Sequence, residues 1–329
     1  RPHPPLTAPG RYLRRYRGRM PAPTPAADYR DELEPYARRI FDDGGNAELT
    51  AEKSQLAVEA YYASLDFVDD CIGELLDGLT KLGLVATTTV IYTSDHGEML
   101  SRHGLWGKAV YYEPAVTIPL LMSGPGIAQT GGVVQDPISI MDLFPTCCGL
   151  AGVPTPEGLD GFDFSRLLAD PEHVEGPRDF APSVCFRYAR RVVHERFQTD
   201  ERQSHQAMRL LRGRRYKYVE IEGGDPLLFD LATDPEETTN LADRTELDDV
   251  HESMQSRLVS MGSWEEYREW IRRDRERLPP LSSGVKPTTP NQYRLPDGRV
   301  FDAEAELYKA RWLYIPPEAN GGIIPQMFG

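Results

Sequence analysis

The sequence predicts an α/β fold: a mostly parallel sheet between helices, followed by a smaller α+β subdomain with an antiparallel sheet. An amphipathic helical pattern over residues 51–80 runs directly into Thr87-Thr-Thr-Val-Ile-Tyr-Thr93, which is β-branched or aromatic throughout. A helix feeding a buried strand is half of a β-α-β unit. The second half of the prediction rests on three short runs, Ala207–Leu211, Tyr216–Ile221 and Leu227–Leu231, the last two separated by the turn Gly223-Gly-Asp-Pro226. That is the pattern of antiparallel strands joined by tight connections.

Taken in order, residues 1–30 are rich in Pro and Arg and read as an extended segment and loops. In the helix over 51–80, Thr50 is the N-cap and Glu52 sits in the first turn. Leu56, Ala60, Phe67, Val68, Cys71, Ile72, Leu75, Leu76 and Leu79 recur at helical spacing, and Gly83 suits the C-terminal stop. Ile118–Met122 reads as a short buried strand closed by Ser123-Gly-Pro-Gly126, Val133–Ile140 as a further strand, and Asp142–Leu150 as a helix ending near Gly152-Val-Pro154. Residues 171–206 are charged and irregular, which places a boundary there. The expected organisation is a catalytic α/β domain over 1–172 and a small subdomain of antiparallel sheet plus helix over 173–278. An irregular tail over 279–329 packs on the body or on a partner subunit. Asp248–Arg277 reads as one or two amphipathic helices and Ala303–Trp312 as a short helical patch. Trp312, Tyr314, Ile315, Ile323 and Ile324 are the apolar residues through which the tail could contact its own body or make a homo-oligomer.

Composition bounds the function. The chain has 329 residues, 40% hydrophobic and 27% charged, enough for a sizeable core. A formal net charge of −14 repels polyanions, so nucleic acid is not an expected partner. No apolar run approaches the ~20 residues needed to span a bilayer, and Arg1-Pro-His-Pro-Pro-Leu lacks signal-peptide architecture. The 4 cysteines, Cys71, Cys147, Cys148 and Cys185, have no disulfide-framework spacing. They are expected as buried thiols, which points to a cytoplasmic compartment.

The chemistry lies at Ser94-Asp-His-Gly97. Ligands gather at the carboxyl ends of strands in open α/β sheets, and there a carboxylate and an imidazole, Asp95 and His96, can hold a divalent cation. Taken alone, the tetrapeptide reads more readily as a ligand-free turn. Lys108 follows beyond two glycines, Gly104 and Gly107, that let the loop fold back. An ammonium beside a cation clamps a tetrahedral oxyanion and neutralises charge on its oxygens. His103 is a third candidate, as a substrate-binding group or as a residue that orders the loop.

Ser94 to Lys108 closely resembles the conserved stretch of the type I sulfatases of the alkaline phosphatase superfamily. The resemblance continues through Ile118-Pro-Leu-Leu, Ser139-Ile-Met-Asp-Leu-Phe-Pro-Thr146, Leu150-Ala-Gly-Val-Pro154, Leu159-Asp-Gly161 and Leu167-Leu168. It resumes at Arg214-Arg-Tyr-Lys-Tyr-Val219, Leu228-Phe-Asp-Leu231, Asp234-Pro-Glu-Glu237 and Asn240-Leu241. Arg1-Pro-His-Pro-Pro resembles the segment preceding the family's long variable region. That start and the choice of His96 are nearest the phosphonate monoester hydrolase and choline-sulfatase branches.

The resemblance implies an alkaline-phosphatase-like sheet, incomplete at its N-terminal side. It implies hydrolysis of sulfate monoesters, or alternatively of phosphonate monoesters or phosphodiesters, by a formylglycine nucleophile. Asp95 and His96 would bind the metal, and Lys108 and His3 would be catalytic and substrate-binding. The cation is expected to be Ca²⁺, with Mn²⁺ or Mg²⁺ as alternatives; an imidazole ligand tilts the choice toward Mn²⁺ or Zn²⁺. The family's nucleophile stands in a Cys/Ser-x-Pro-Ser-Arg context that none of the four cysteines has, and no Asp-Asp strand end precedes His3. Both are expected upstream of this chain. A non-catalytic, anion-binding fragment is the reading from a different functional class.

Overall fold

The computed structural model describes residues 6, 8–23, 29–44, 46, 49–128, 131–171, 174, 176, 178–186, 207–277, 292–294 and 300–302. The chain divides into two compact units. The smaller comprises residues 1–19, 59–68 and 263–329, and the larger residues 20–58 and 69–262.

In the smaller unit, α1 (Gly10–Tyr16) lies within the region read as extended. Its arginines hide a short helix that one buried ring anchors: Tyr12 is fully buried, 5.4 Å from the ring of Phe67. Arg15 grips Asp66 with two bonds of 3.0 and 2.8 Å. The same unit holds α8 (Trp264–Arg277) and the hairpin β7 (Gln292–Arg294)–β8 (Val300–Asp302).

Helix α3 (Ala51–Lys81) starts and stops as its sequence dictates. The Thr50 hydroxyl accepts from the Lys53 amide, and Gly83, at φ 69°, turns the chain out. Its C-terminal half departs from expectation: Leu75, Leu76 and Cys71 are exposed, because no described element covers that stripe. Cys147 is exposed as well, so burial of all four thiols does not hold.

In the larger unit, α2 (Pro35–Asp43) is capped by the Glu34 carboxylate and buries Tyr36, Ala37, Ile40 and Phe41. Strand β1 (Val90–Thr93) pairs with β2 (Leu120–Ser123) through the register Val90↔Ser123 to Thr93↔Leu120. That ladder is antiparallel, and no parallel ladder occurs among the described strands. A helix-then-strand order does not fix the direction of the next partner. Residues 133–139 form no strand, and the helical turn at Ile140–Asp142 leads into α5 (Leu143–Ala151) and then α6 (Ser165–Ala169).

Four strands make the main sheet in the order β3 (Phe180–Phe186), β4 (Ala207–Gly213), β5 (Tyr216–Ile221), β6 (Leu227–Asp230), all antiparallel. Alternation along the strands splits their side chains between two cores. Met208, Leu210, Val219, Ile221, Leu227 and Phe229 pack with α2 and with Met99, Leu105 and Val110–Tyr112. Leu211, Tyr218 and Leu228 pack on the opposite face with Met254 and Leu258 of α7 (Asp248–Ser260). β3 lies in a stretch read as irregular. The expected helical patch at Ala303–Trp312 and the apolar tail residues lie outside the described residues.

Candidate active site

Asp95 and His96 stand just beyond the C-terminal end of β1, at the start of a loop that closes on itself. The Ser94 hydroxyl donates to the His96 carbonyl at 2.9 Å. Gly97 is required by close approach: a Cβ there would collide with the carbonyl oxygens of Pro114, Thr117 and Ala115. The amides of Gly97 and Glu98 bond to Ala115 and Pro114 carbonyls at 2.9 and 2.8 Å, fastening the strand tip to α4 (Glu113–Val116).

The loop then returns. Met99 donates to the Gly107 carbonyl at 2.9 Å, and the Glu98 carboxylate accepts from the amides of Gly107 at 2.5 Å and Leu100 at 3.2 Å. This closure brings the Lys108 ammonium against Nε2 of His96. Nδ1 of His96 lies 2.7 Å from the Gly97 carbonyl. A carbonyl can only accept, which assigns the proton to Nδ1 and leaves the Nε2 lone pair, in the neutral ring, for Lys108 or for a cation. Asp95 Oδ1 is 3.7 Å from Nε2, and its side chain is 77% exposed. Desolvation acts to raise the Asp95 carboxyl; the His96 ring, backbone amides and Lys108 outweigh it and hold the group below the ordinary carboxylate range.

The loop is backbone-strained. Leu100, Ser101, His103 and Ala109 all adopt positive φ, at 44°, 72°, 51° and 72°. Non-glycine residues take that region only when their surroundings impose it. Part of the imposition comes from His103, whose ring stacks on Tyr112 at 4.2 Å and meets the edge of Tyr29 at 5.9 Å. Burial lowers its pKa, against the opposing pull of Glu236. These ring contacts hold His103 between Tyr112 and Tyr29.

Asp95, His96 and Lys108 are therefore brought together, and His3 lies outside the described residues. The residue that sequence reasoning missed is Glu98, whose signal was only its adjacency to the Ser-Asp-His-Gly turn. For a cation, Asp95 and His96 offer suitable donors, a carboxylate and an imidazole nitrogen, but two donors do not complete a coordination shell. Among the described residues no group of three or more His, Cys, Asp or Glu side chains forms a metal cluster.

The sulfatase family model matches residues 1–153, and the model described as N-sulphoglucosamine sulphohydrolase, C-terminal, matches residues 101–263. The chain belongs to the sulfatase family. It is 33% identical over 218 residues to choline-sulfatase of Rhizobium meliloti (strain 1021), covering 65% of this chain and 39% of that protein. It is 35% identical over 206 residues to arylsulfatase K of Mus musculus, covering 61% and 35%. Among solved structures, the phosphonate monoester hydrolase of Agrobacterium radiobacter superposes with a TM-score of 0.67 at 26% identity, over 92% of this chain and 59% of that one. The architecture is thus the alkaline-phosphatase-like α/β fold of sulfatases. The chain spans about two fifths of the length of the choline-sulfatase it matches, and a smaller share of arylsulfatase K.

Proposed function

We propose that this chain supplies the cation- and anion-holding part of a sulfatase site that hydrolyses sulfate monoesters, cleaving the S–O bond of R–O–SO₃⁻ with water to give the alcohol and sulfate. The observation that carries the reading is the contact of the Lys108 ammonium with His96 Nε2 beside the exposed Asp95 carboxylate.

Asp95 and His96 would hold a divalent cation, which supplies Lewis-acid neutralisation of the sulfate oxygens. A formylglycine carried by sequence outside these 329 residues would supply the nucleophile. Lys108 contributes the rest of the clamp: once its ammonium leaves Nε2, it reaches the substrate oxygens and stabilises charge as the S–O bond breaks. The Nδ1–H bond to the Gly97 carbonyl fixes the His96 ring, so Nε2 keeps its direction while Lys108 moves. His3 is proposed as a second anion-binding group.

A second reading, hydrolysis of a phosphonate monoester or phosphodiester, is favoured by the structural likeness to phosphonate monoester hydrolase. Steady-state kinetics of the full-length protein on an aryl sulfate and an aryl phosphonate monoester separate the two. A kcat/KM larger for the sulfate supports the first reading. A larger value for the phosphonate overturns it, and no turnover of either overturns both. The 329-residue chain alone is expected to be inactive, because covalent catalyst and ligands fail as a unit when part is missing.

A further inference from the structure

The larger unit buries a lysine that the proposed chemistry does not use. Lys217, in β5, is fully buried, and its ammonium donates to the Tyr111 carbonyl at 2.7 Å and to Glu113 Oε1 at 3.2 Å. It also forms an ion pair with Glu237, which is buried and left-handed at φ 57°. The other Glu237 oxygen accepts from the Glu113 amide at 2.5 Å, and Arg212 bonds to the far oxygen of Glu113 at 3.1 Å. Two carboxylates thus meet two cations: the ammonium's hydrogen bonds go to the Tyr111 carbonyl and Glu113, and Glu237 Oε1 is paired with it by charge alone. Such a cluster is stable only when complete, since one missing partner leaves a buried charge exposed to its full desolvation cost.

Its position gives it a consequence. The segment it grips, 111–113, follows Lys108 by three residues and leads into α4. The same α4 carbonyls, of Pro114 and Ala115, hold the amides of Glu98 and Gly97 immediately after Asp95 and His96. The strand tip and the segment leaving the Lys108 loop both meet at this short piece of backbone, which the sheet clamps from below; the loop is also held by Tyr36, whose hydroxyl donates to the Ala109 carbonyl at 3.0 Å, and by the buried Met99 and Leu105. The Glu98 carboxylate ties the arms to each other but not to the body.

We propose that Lys217 is a positioning residue: through Glu113, Glu237 and the Tyr111 carbonyl it sets the register at which Lys108 meets His96. The inference stands on the geometry alone, so failure of the sulfatase reading leaves it intact, and the reverse also holds.

The test uses the full chain without substrate and compares wild type with Lys217→Met and the near-isosteric Glu237→Gln. Hydrogen exchange is followed over residues 97–108 and over β3–β4. Nuclear Overhauser contact between the His96 ring and the Lys108 side chain is read in parallel. The expected result is exchange over 97–108 at least about tenfold faster, with that of β3–β4 unchanged, together with loss of the His96–Lys108 contact. Equal acceleration in both regions would mean a merely structural role and overturns the proposal. So does retention of the contact and of wild-type exchange over 97–108 in a folded variant. Should Lys217→Met fail to fold, Glu237→Gln, which leaves the sheet's own residues untouched, decides by the same criteria.

Discussion

The Lys108 ammonium lies against Nε2 of His96, the atom that a metal ion would need. One lone pair cannot serve both, so cation binding and the lysine contact exclude each other. In the proposed full-length enzyme, Lys108→Ala is expected to lower kcat/KM on an aryl sulfate by about a hundred- to thousandfold, the size of effect seen when one oxyanion-stabilising donor is removed. A change of less than about threefold would show that Lys108 does not touch the developing charge.

Two donors hold a divalent cation weakly. Titration of the 329-residue chain with Mn²⁺, followed by water proton relaxation, should give a dissociation constant on the order of millimolar. Asp95→Asn and His96→Ala should each remove that binding. Tight binding retained in both variants would place the ion elsewhere.

Gly97→Ala should destabilise the chain by about 1–3 kcal/mol in urea unfolding, because the added methyl meets three backbone carbonyls that cannot move independently. A neutral result would mean that the approach of the strand tip to α4 is looser than the structure has it.

Asp142 is fully buried, pairs with Arg178, and accepts from the amides of Ser139 and Phe162, each at 2.8 Å. Asp142→Asn keeps the shape but leaves the guanidinium without its counter-charge, a loss of about 3–5 kcal/mol. The same urea titration reads it.

The Glu113 carboxyl is pulled upward by desolvation, and Lys217 and Arg212 outweigh this, so its folded value lies below the ordinary 4.5. Its stabilising contribution is therefore complete above pH 4.5 and fades as the pH falls through the folded value. Burial moves Glu237 the other way, so its contribution is complete below pH 4.5 and is lost as the pH rises through its own folded value. Comparing the melting temperature of wild type with Glu113→Gln isolates the first effect. The gap should be widest near neutral pH and narrow below pH 4.5; a gap that widens on acidification would reverse the sign.

The parts of the molecule legible in the sequence were those that local chemistry specifies. Thr50 and Gly83 bracket α3, and β-branched residues lead to the Asp95–His96 tip. The parts that stayed hidden depend on distant partners. Periodicity says nothing of ladder direction, so the antiparallel β1–β2 pair was invisible. β3 carries Pro182, Ser183 and Cys185 beside a charged stretch, and only pairing with β4 makes it a strand. A lysine in a sequence reads as a surface residue, and the two acceptors of the Lys217 hydrogen bonds lie 106 and 104 positions away.

Gly104 and Gly107 suit their positive φ, but the left-handed backbone at Leu100, Ser101, His103 and Ala109 means that the rest of the loop's shape is not written in its own letters. None of those residues prefers that conformation, so the path is dictated by its anchors: the Glu98 carboxylate at one end and the Tyr112 ring beneath it. Distant kin could therefore spell the interior of this loop quite differently and trace the same curve. A search that weights the flanking acid and aromatic above the intervening characters would find them where plain string matching does not.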